Sequence, residues 1–337
     1  VRVAEILERR KLQLKGEVEI GSEPGEDKIR VSADQRDLRR DIKQWESLSD
    51  NLAILIESLE KGDPWIYDGY QTDKDTKIDS GPVIFKPVMI NMFTKKKLFD
   101  RFKVVMMMSA TPISFDQLAR DLGVDQGEFA GVVIPRTFDP RRCPVNILPI
   151  ADNSFKEQAN SWKALSDAVW KICMTNSDHR IMIHAVSYIQ ADKVYQFMKR
   201  SFPGRTVLTH TKEAASKKRI LAEYAKTPGA ILISPSMARG ADFKGDLCRV
   251  LILIKVPFPN LGDKQISARL HSTHDGQTWY ATQTIREIVQ MTGRGMRSED
   301  DWCQTWILDK QFLNLWSRNE GLFPKWWRDS VIHVTSF

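Results

Sequence analysis

Cysteine is scarce in this chain. Its 337 residues hold four, at Cys143, Cys173, Cys248 and Cys303. No two of them have C-x-x-C spacing, which excludes a readable zinc site or iron–sulfur cluster. Their scatter fits reduced thiols in a cytoplasmic protein. No apolar run approaches the ~18 residues of a membrane span, and no signal peptide opens the chain. Repeats and low-complexity segments are missing too. Basic residues outnumber acidic ones only slightly, 50 against 43, for a net charge of +7. That surplus suits a polyanionic partner without requiring one. Carboxylates do not cluster at strand ends as a nuclease would need. The acidic run Glu299 to Asp301 reads as a solvated loop. The chain starts at Val1 rather than methionine, which points to a fragment, a processed product or a renumbered chain.

What is present divides the chain. A hydrophobic share of 42% supports real cores, and the length allows two domains. Residues 1–60 are charged and helical in period, with Leu38, Ile42, Trp45, Leu48, Leu52, Leu55 and Leu59 forming one apolar stripe. Trp65 to Tyr70 reads as part of an edge hairpin. The run from Val104 to Met108, apolar throughout and followed by Pro112, reads as a buried parallel strand. It ends in Ser109, Ala110 and Thr111, beyond a strand's carboxyl end, where open α/β sheets place ligands. A small-residue turn is the plainer reading of those three residues alone. Arg136 to Pro144 is a basic, proline-bounded connector.

Beyond it, apolar runs at 146–150, 180–186, 205–210, 229–234, 249–256 and 304–309 alternate with helices at 154–175, 187–201, 212–226 and 283–297. That alternation predicts a mostly parallel sheet covered on both faces. The tryptophan-rich tail packs back as a helix.

The segment QMTGRGMR, Gln290 to Arg297, stands out within the predicted helix 283–297. At about 100° per residue, Ile285, Ile288, Val289, Thr292 and Met296 share a core stripe. Gln290, Gly293, Arg294 and Arg297 share a second, roughly 130° away. Gly293 and Gly295 each cost about 1 kcal/mol inside a helix, which implies a close approach to that face. Guanidiniums suit phosphate oxygens. An arginine-finger face is the functional reading, and a solvated basic face the bland one.

Other candidates carry similar pairs of readings. The loop Ser234 to Asp246 offers Gly240 and Gly245 for a backbone-forward course, Asp242 as a hydroxyl acceptor, and the charges of Arg239 and Lys244; it is otherwise a surface turn. Ser187 and Tyr188 sit at a strand-to-helix switch, where Ser187 fits an N-cap that could also face a nucleic-acid phosphate. Thr209, Lys212, Lys217, Lys218 and Arg219 surround the next switch and could track a backbone or face water. Lys95 to Lys97 read as surface charge on a helix. His184 and His210 read as satisfied structural histidines.

In order, SAT (109–111), SY (187–188), GADFKGD (240–246), VPFPN (256–260) and QMTGRGMR (290–297) resemble the motifs of a superfamily 2 DNA helicase of the XPD/DinG type, across roughly residues 80–320. The resemblance implies RecA-like α/β architecture. Residues 1–80 would end a helical, arch-like insertion, 81–142 would close a first RecA-like domain, and 143–337 would form the second. It implies ATP hydrolysis coupled to 5′-to-3′ movement on single-stranded DNA and opening of a forked duplex. Gln290, Arg294 and Arg297 would act at the γ-phosphate. Gly240, Asp242, Gly245 and Gly293 would contact the nucleotide. Ser109, Thr111, Ser187, Tyr188, Thr209 and Arg239 would grip DNA or couple it to the nucleotide.

The chain departs from the family in lacking G-x-x-x-x-G-K-S/T and Asp-Glu-x-His. The phosphate loop, the magnesium ligands and any iron–sulfur cysteines would lie upstream, in a missing N-terminal half, leaving this chain alone inactive. A non-enzymatic module that binds single-stranded nucleic acid on a RecA-like fold is the alternative.

Overall fold

The computed structural model describes residues 9, 12, 33–68, 71–72, 79–80, 84–135, 138–154, 156–235, 243, 245–296 and 298–336. The chain divides into two compact units, Val1–Met89 and Ile90–Phe337.

In the first unit, helix α1 (Ala33–Glu60) precedes β1 (Trp65–Asp68), β2 (Gln71–Thr72), β3 (Asp79–Ser80) and β4 (Ile84–Pro87). β1 pairs antiparallel with β4, and β2 with β3. Trp65 Nε1 donates to Ser58 Oγ at 2.8 Å, and Ser58 Oγ donates to Asp63 Oδ2 at 2.8 Å, fixing the turn after α1. The expected apolar stripe is only partly used. Ile42 and Leu55 are buried, whereas Leu48 and Leu59 are exposed. Among the described residues from Ala33 on in this unit, α1 is followed by short two-stranded ribbons, which are too small to cover a stripe of that length.

The second unit opens with α2 (Asn91–Lys97) and α3 (Phe115–Leu122). α3 begins at Ser114, whose side chain accepts from Gln117 N, and ends at Gly123 with φ +68°. A side chain at Gly123 would also collide with the Asn91 backbone, so both conformation and space demand glycine. The expected strand over Val104–Met108 is not formed. Those residues form no regular secondary structure, with Val104, Met106 and Met108 exposed at 83, 84 and 90%. A parallel strand needs hydrogen-bonding neighbours and helices on both faces. Among the described residues no strand pairs with it.

The sheet forms where it was expected. β5 (Val145–Ala151), β6 (Ile181–His184), β7 (Val207–Thr209), β8 (Ile231–Ser234), β9 (Val250–Leu253), β10 (Gln304–Asp309) and β11 (Val331–His333) line up in the order β11-β5-β10-β9-β6-β8-β7. Every neighbouring pair is parallel. Helices α4 (Trp162–Thr175), α5 (Tyr188–Ser201), α6 (Ala214–Lys226), α7 (Lys264–Ser272) and α8 (Gly276–Thr292) cover it, followed by α9 (Gln311–Asn319) and α10 (Lys325–Arg328).

Successive strand residues feed opposite cores, as the two-residue period requires. Ile181, Ile183, Ile231, Ile233 and Ile252 pack with Val169 and Ile172 of α4 and Met198 of α5. Met182, Leu232, Leu251 and Leu253 pack with Tyr224 of α6, Ile285, Ile288 and Val289 of α8, and Trp327 of α10. Each such side chain contributes about 1.5–3 kcal/mol, so cores on both faces outweigh any local helix preference. This is a RecA-like parallel sheet flanked by helices.

Three boundaries differ from expectation. α4 starts at Trp162, not 154, because Asp152 Oδ1 accepts from Ser154 N and holds a local turn there. α8 runs Gly276–Thr292 rather than 283–297, stopping at the first glycine of QMTGRGMR, where two glycines in three residues make continuation costly. The tail does pack back through α9 and α10, with Trp327 fully buried, but it then adds an unforeseen edge strand, β11.

Candidate functional site

The carboxyl ends of β6 and β9 define the site. These neighbours send the chain to opposite faces, β6 into α5 on one side and β9 into α8 on the other. Such a switch point leaves a crevice beyond the strand ends. His184 closes β6, Pro235 follows β8, and Val256 to Pro259 follow β9. Asp309, buried at the end of β10, accepts from Val256 N at 2.9 Å and fixes where that proline-rich segment begins. Asn153 Nδ2 donates to Ile254 O at 2.6 Å beside it. Burial pushes the Asp309 carboxyl up from the usual aspartate value, partly opposed by the backbone N–H groups of Val256, Gln311 and Asn153 that donate to it.

Helix α8 reaches this crevice and joins it to the segment before α3. Gln290 Nε2 donates to Thr111 Oγ1 at 2.8 Å, and Arg286 Nε donates to Thr111 O at 3.3 Å. Thr111 is buried, and its N–H donates to Ser109 Oγ at 3.1 Å. Two residues on, Ile113 holds φ +65°, a strained conformation for a β-branched residue. Its side chain packs against the α8 core. The SAT segment is therefore pinned to α8 although its expected strand is absent.

Arg294 lies in the turn after α8, half-buried, with its Nε buried. The guanidinium is close enough to His184 to oppose protonation of that ring. Burial is the larger cause, and together they lower the His184 pKa to about 4. Contrary to expectation His184 is not satisfied: it is 4% exposed, and neither ring nitrogen has a hydrogen-bond partner. The glycine expectation also needs correction. A Cβ on Gly293 would meet only Val289 O at 3.4 Å, while one on Gly295 would collide with Cys303 and the Cys248 carbonyl. The close approach at Gly295 is made by the chain's own core, not by a ligand. Arg297, Gly240, Asp242 and Arg239 lie outside the described residues.

Ser187 caps α5, accepting from Gln190 N at 3.2 Å, and is exposed. Tyr188 sets its ring against His210 edge-on at 5.9 Å, and Lys212 Nζ stands 5.8 Å above it. His210 Nε2 pairs with Ser234 Oγ at 2.7 Å, so this histidine is satisfied. Ser187 and Tyr188 after β6 and Lys212 after β7 thus gather across the end of β8, which lies between those strands; half-buried Thr209 ends β7. Gly245 adopts φ +55°, which favours glycine. The turn it opens is held by Arg249, whose Nε donates to Asp246 Oδ1 at 2.9 Å and Nη1 to Trp302 O at 2.7 Å.

Sequence reasoning missed Arg269. It is 3% exposed and pairs with Asp275 at 2.5 Å and Asp121 at 3.1 Å. Gln117 Nε2 donates to the same two carboxylates, at 2.7 and 3.0 Å, so α3 is tied to α7 and α8. The Arg269 hydrogen bond, outweighing burial, holds the Asp275 carboxyl well below its usual range. No motif flags an arginine whose partners lie that far off in sequence. Among the described residues no group of three or more His, Cys, Asp or Glu side chains could hold a metal ion, so they do not fit a magnesium site. All four cysteines are free and buried.

Comparison with known proteins bears on this geometry. The family description "Helicase C-terminal domain" matches residues 169–330. The chain is similar to the Fanconi anemia group J protein homolog of Gallus gallus, 31% identical over 121 residues, covering 32% of this chain and 10% of that protein. It is similar to the general transcription and DNA repair factor IIH helicase subunit XPD/RAD3 of Saccharomyces cerevisiae, 22% identical over 312 residues, covering 85% of this chain and 39% of that one. It also matches the ATP-dependent DNA helicase DDX11 of Danio rerio, 22% identical over 156 residues, covering 39% of this chain and 17% of the relative. The chain therefore spans well under two thirds of these relatives' length. A solved apo structure of XPD superposes with TM-score 0.54 at 16% identity, over 97% of this chain and 69% of that one, which shows the shared fold. Residues 169–330 match a helicase C-terminal domain on a RecA-like sheet, and the relatives named above support a C-terminal half of the XPD/DinG type of superfamily 2 helicase.

Proposed function

We propose that the chain is the C-terminal part of an ATP-dependent DNA helicase that moves 5′ to 3′ on single-stranded DNA and opens a forked duplex. The phosphate loop and magnesium ligands would come from another segment of the whole protein. The exposed apolar run Val104–Met108 supports that reading, since it has the composition of a sheet strand that still needs neighbours. ATP, when bound, supplies the phosphoryl bond whose cleavage drives the cycle.

Arg294, with Arg297, would stabilise charge on the terminal phosphate. Ser187, Tyr188, Lys212 and the Gly240–Gly245 loop would hold the strand's backbone, with Arg239 adding charge. The observation that carries the reading is the Gln290–Thr111 hydrogen bond, with Arg286 on the same residue. It joins the helix that leads to Arg294 directly to the SAT segment, so a shift at one end is felt at the other.

Gln290→Leu keeps the volume and removes the donor. In the whole protein, single-stranded DNA binding should be retained while DNA loses its ability to stimulate ATP turnover. Stimulation equal to wild type would contradict the proposed coupling. A nucleotide-independent binding module predicts instead salt-sensitive strand binding with no ATP turnover in any form of the protein.

A further inference from the structure

A recess of about 370 Å³ opens at the β6–β9 switch point, and its lining is not that of a phosphate site. One wall is a line down α8. Trp279, Gln283, Glu287 and Met291, each four residues apart, all face it. The Pro257–Phe258–Pro259 segment and His184 also line it. Both rings in the walls are backed. Phe258 stacks on Tyr280 at 5.8 Å and 6°, while the Arg269 guanidinium lies 5.3 Å over Trp279. His184 brings two buried ring nitrogens without partners, one a donor and one an acceptor in the neutral ring. It remains neutral at pH 7, because its pKa is lowered to about 4.

A flat occupant suits the aromatic and proline side chains that line the recess. It must carry donors and acceptors on its edge, to meet His184 and Gln283. The Glu287 carboxylate disfavours a phosphate and favours an exocyclic amino group. The volume lies at the low end of ligand pockets, enough for one ring system. We propose that this recess takes a single nucleobase bearing an exocyclic amino group. That base could belong to single-stranded nucleic acid or to a free nucleoside. The strand source rests on the nucleic-acid reading above, because Tyr188 and Lys212 stand at the adjoining strand ends, where a backbone would pass.

The test uses this chain with an oligodeoxyadenylate carrying one fluorescent adenine analogue, an oligothymidylate, and a fully abasic strand of equal length. The analogue's emission should fall on binding, and the adenine strand should bind about 10- to 100-fold more tightly than the abasic strand, as base–aromatic stacking implies. The thymine strand should fall between them. Ile266→Trp, on the recess wall, should fill the space and bring the adenine strand to abasic-level affinity, with the fold intact by circular dichroism. Equal affinity for adenine and abasic strands, or wild-type adenine binding by folded Ile266→Trp, would overturn the proposal.

Free adenosine separates the sources. If adenosine displaces the probe, the recess accepts the nucleoside itself. If it does not, while the adenine strand binds as above, the base must come from a strand. Should no strand bind at all, the nucleic-acid reading fails. Adenosine binding by wild type but not by Ile266→Trp would still support the recess, and its absence as well would overturn it.

Discussion

His184 shows how a residue can be visible in the sequence and misjudged from it. Its place at a strand end was legible. Its lack of partners was not, because that depends on what β8, β9 and α8 bring to the same point. The consequence is a pH effect with a definite sign. The unfolded ring has a pKa of 6.5 and the folded ring about 4, so between those values the unfolded chain binds more protons. Stability is complete above pH 6.5 and declines as pH falls toward 4, by about 3 kcal/mol in all. Urea unfolding at pH 7 and at pH 4.5 should show the loss, and His184→Phe should flatten it. An unchanged slope in that variant would assign the effect elsewhere. At Gly245, the left-handed backbone predicts that alanine costs about 1–2 kcal/mol, readable as a lower Tm.

Among the elements, the strands β5 to β10 were legible because short apolar runs bounded by turn residues have few other folded solutions, whereas β11 was not foreseen. α8 was half legible. Its core stripe, Ile285, Ile288, Val289 and Thr292, is buried as the period requires. Its end was not foreseen, because the glycines were read as a ligand's approach rather than as a helix stop packed on Cys303. Its recess-lining stripe was invisible, since Trp279 to Met291 mixes aromatic, polar and acidic residues.

The tie between α3 and α8 was equally hidden. Arg269→Ala would leave the half-buried Asp121 without its cation and Asp275 with only Arg120 at 3.7 Å, at a cost of about 1–3 kcal/mol. Arg269→Met should cost less, because it keeps the volume, and thermal unfolding would rank the two. Equal and small losses would mean that water replaces the guanidinium.

At the scale of the whole molecule, sheet and helices formed as the alternating pattern required, but the strand of the SAT segment did not. The rule that an apolar run becomes a buried strand presupposes neighbours. Val104–Met108 has none among the described residues, and Val132, Val133 and Ile134 are exposed as well. Exposed apolar segments of this kind promote association. The isolated chain should bind a hydrophobic dye and self-associate with rising concentration, and Met106→Lys should reduce both in light scattering. No change would show that the run is harmless.

Arg294 is proposed to act on the terminal phosphate of ATP in the whole protein. The most direct test of this role is DNA-stimulated ATP turnover of Arg294→Ala in the protein that carries the phosphate loop. Turnover should fall roughly 10³-fold or more while single-stranded DNA binding is retained. Turnover at the wild-type rate would contradict the assignment.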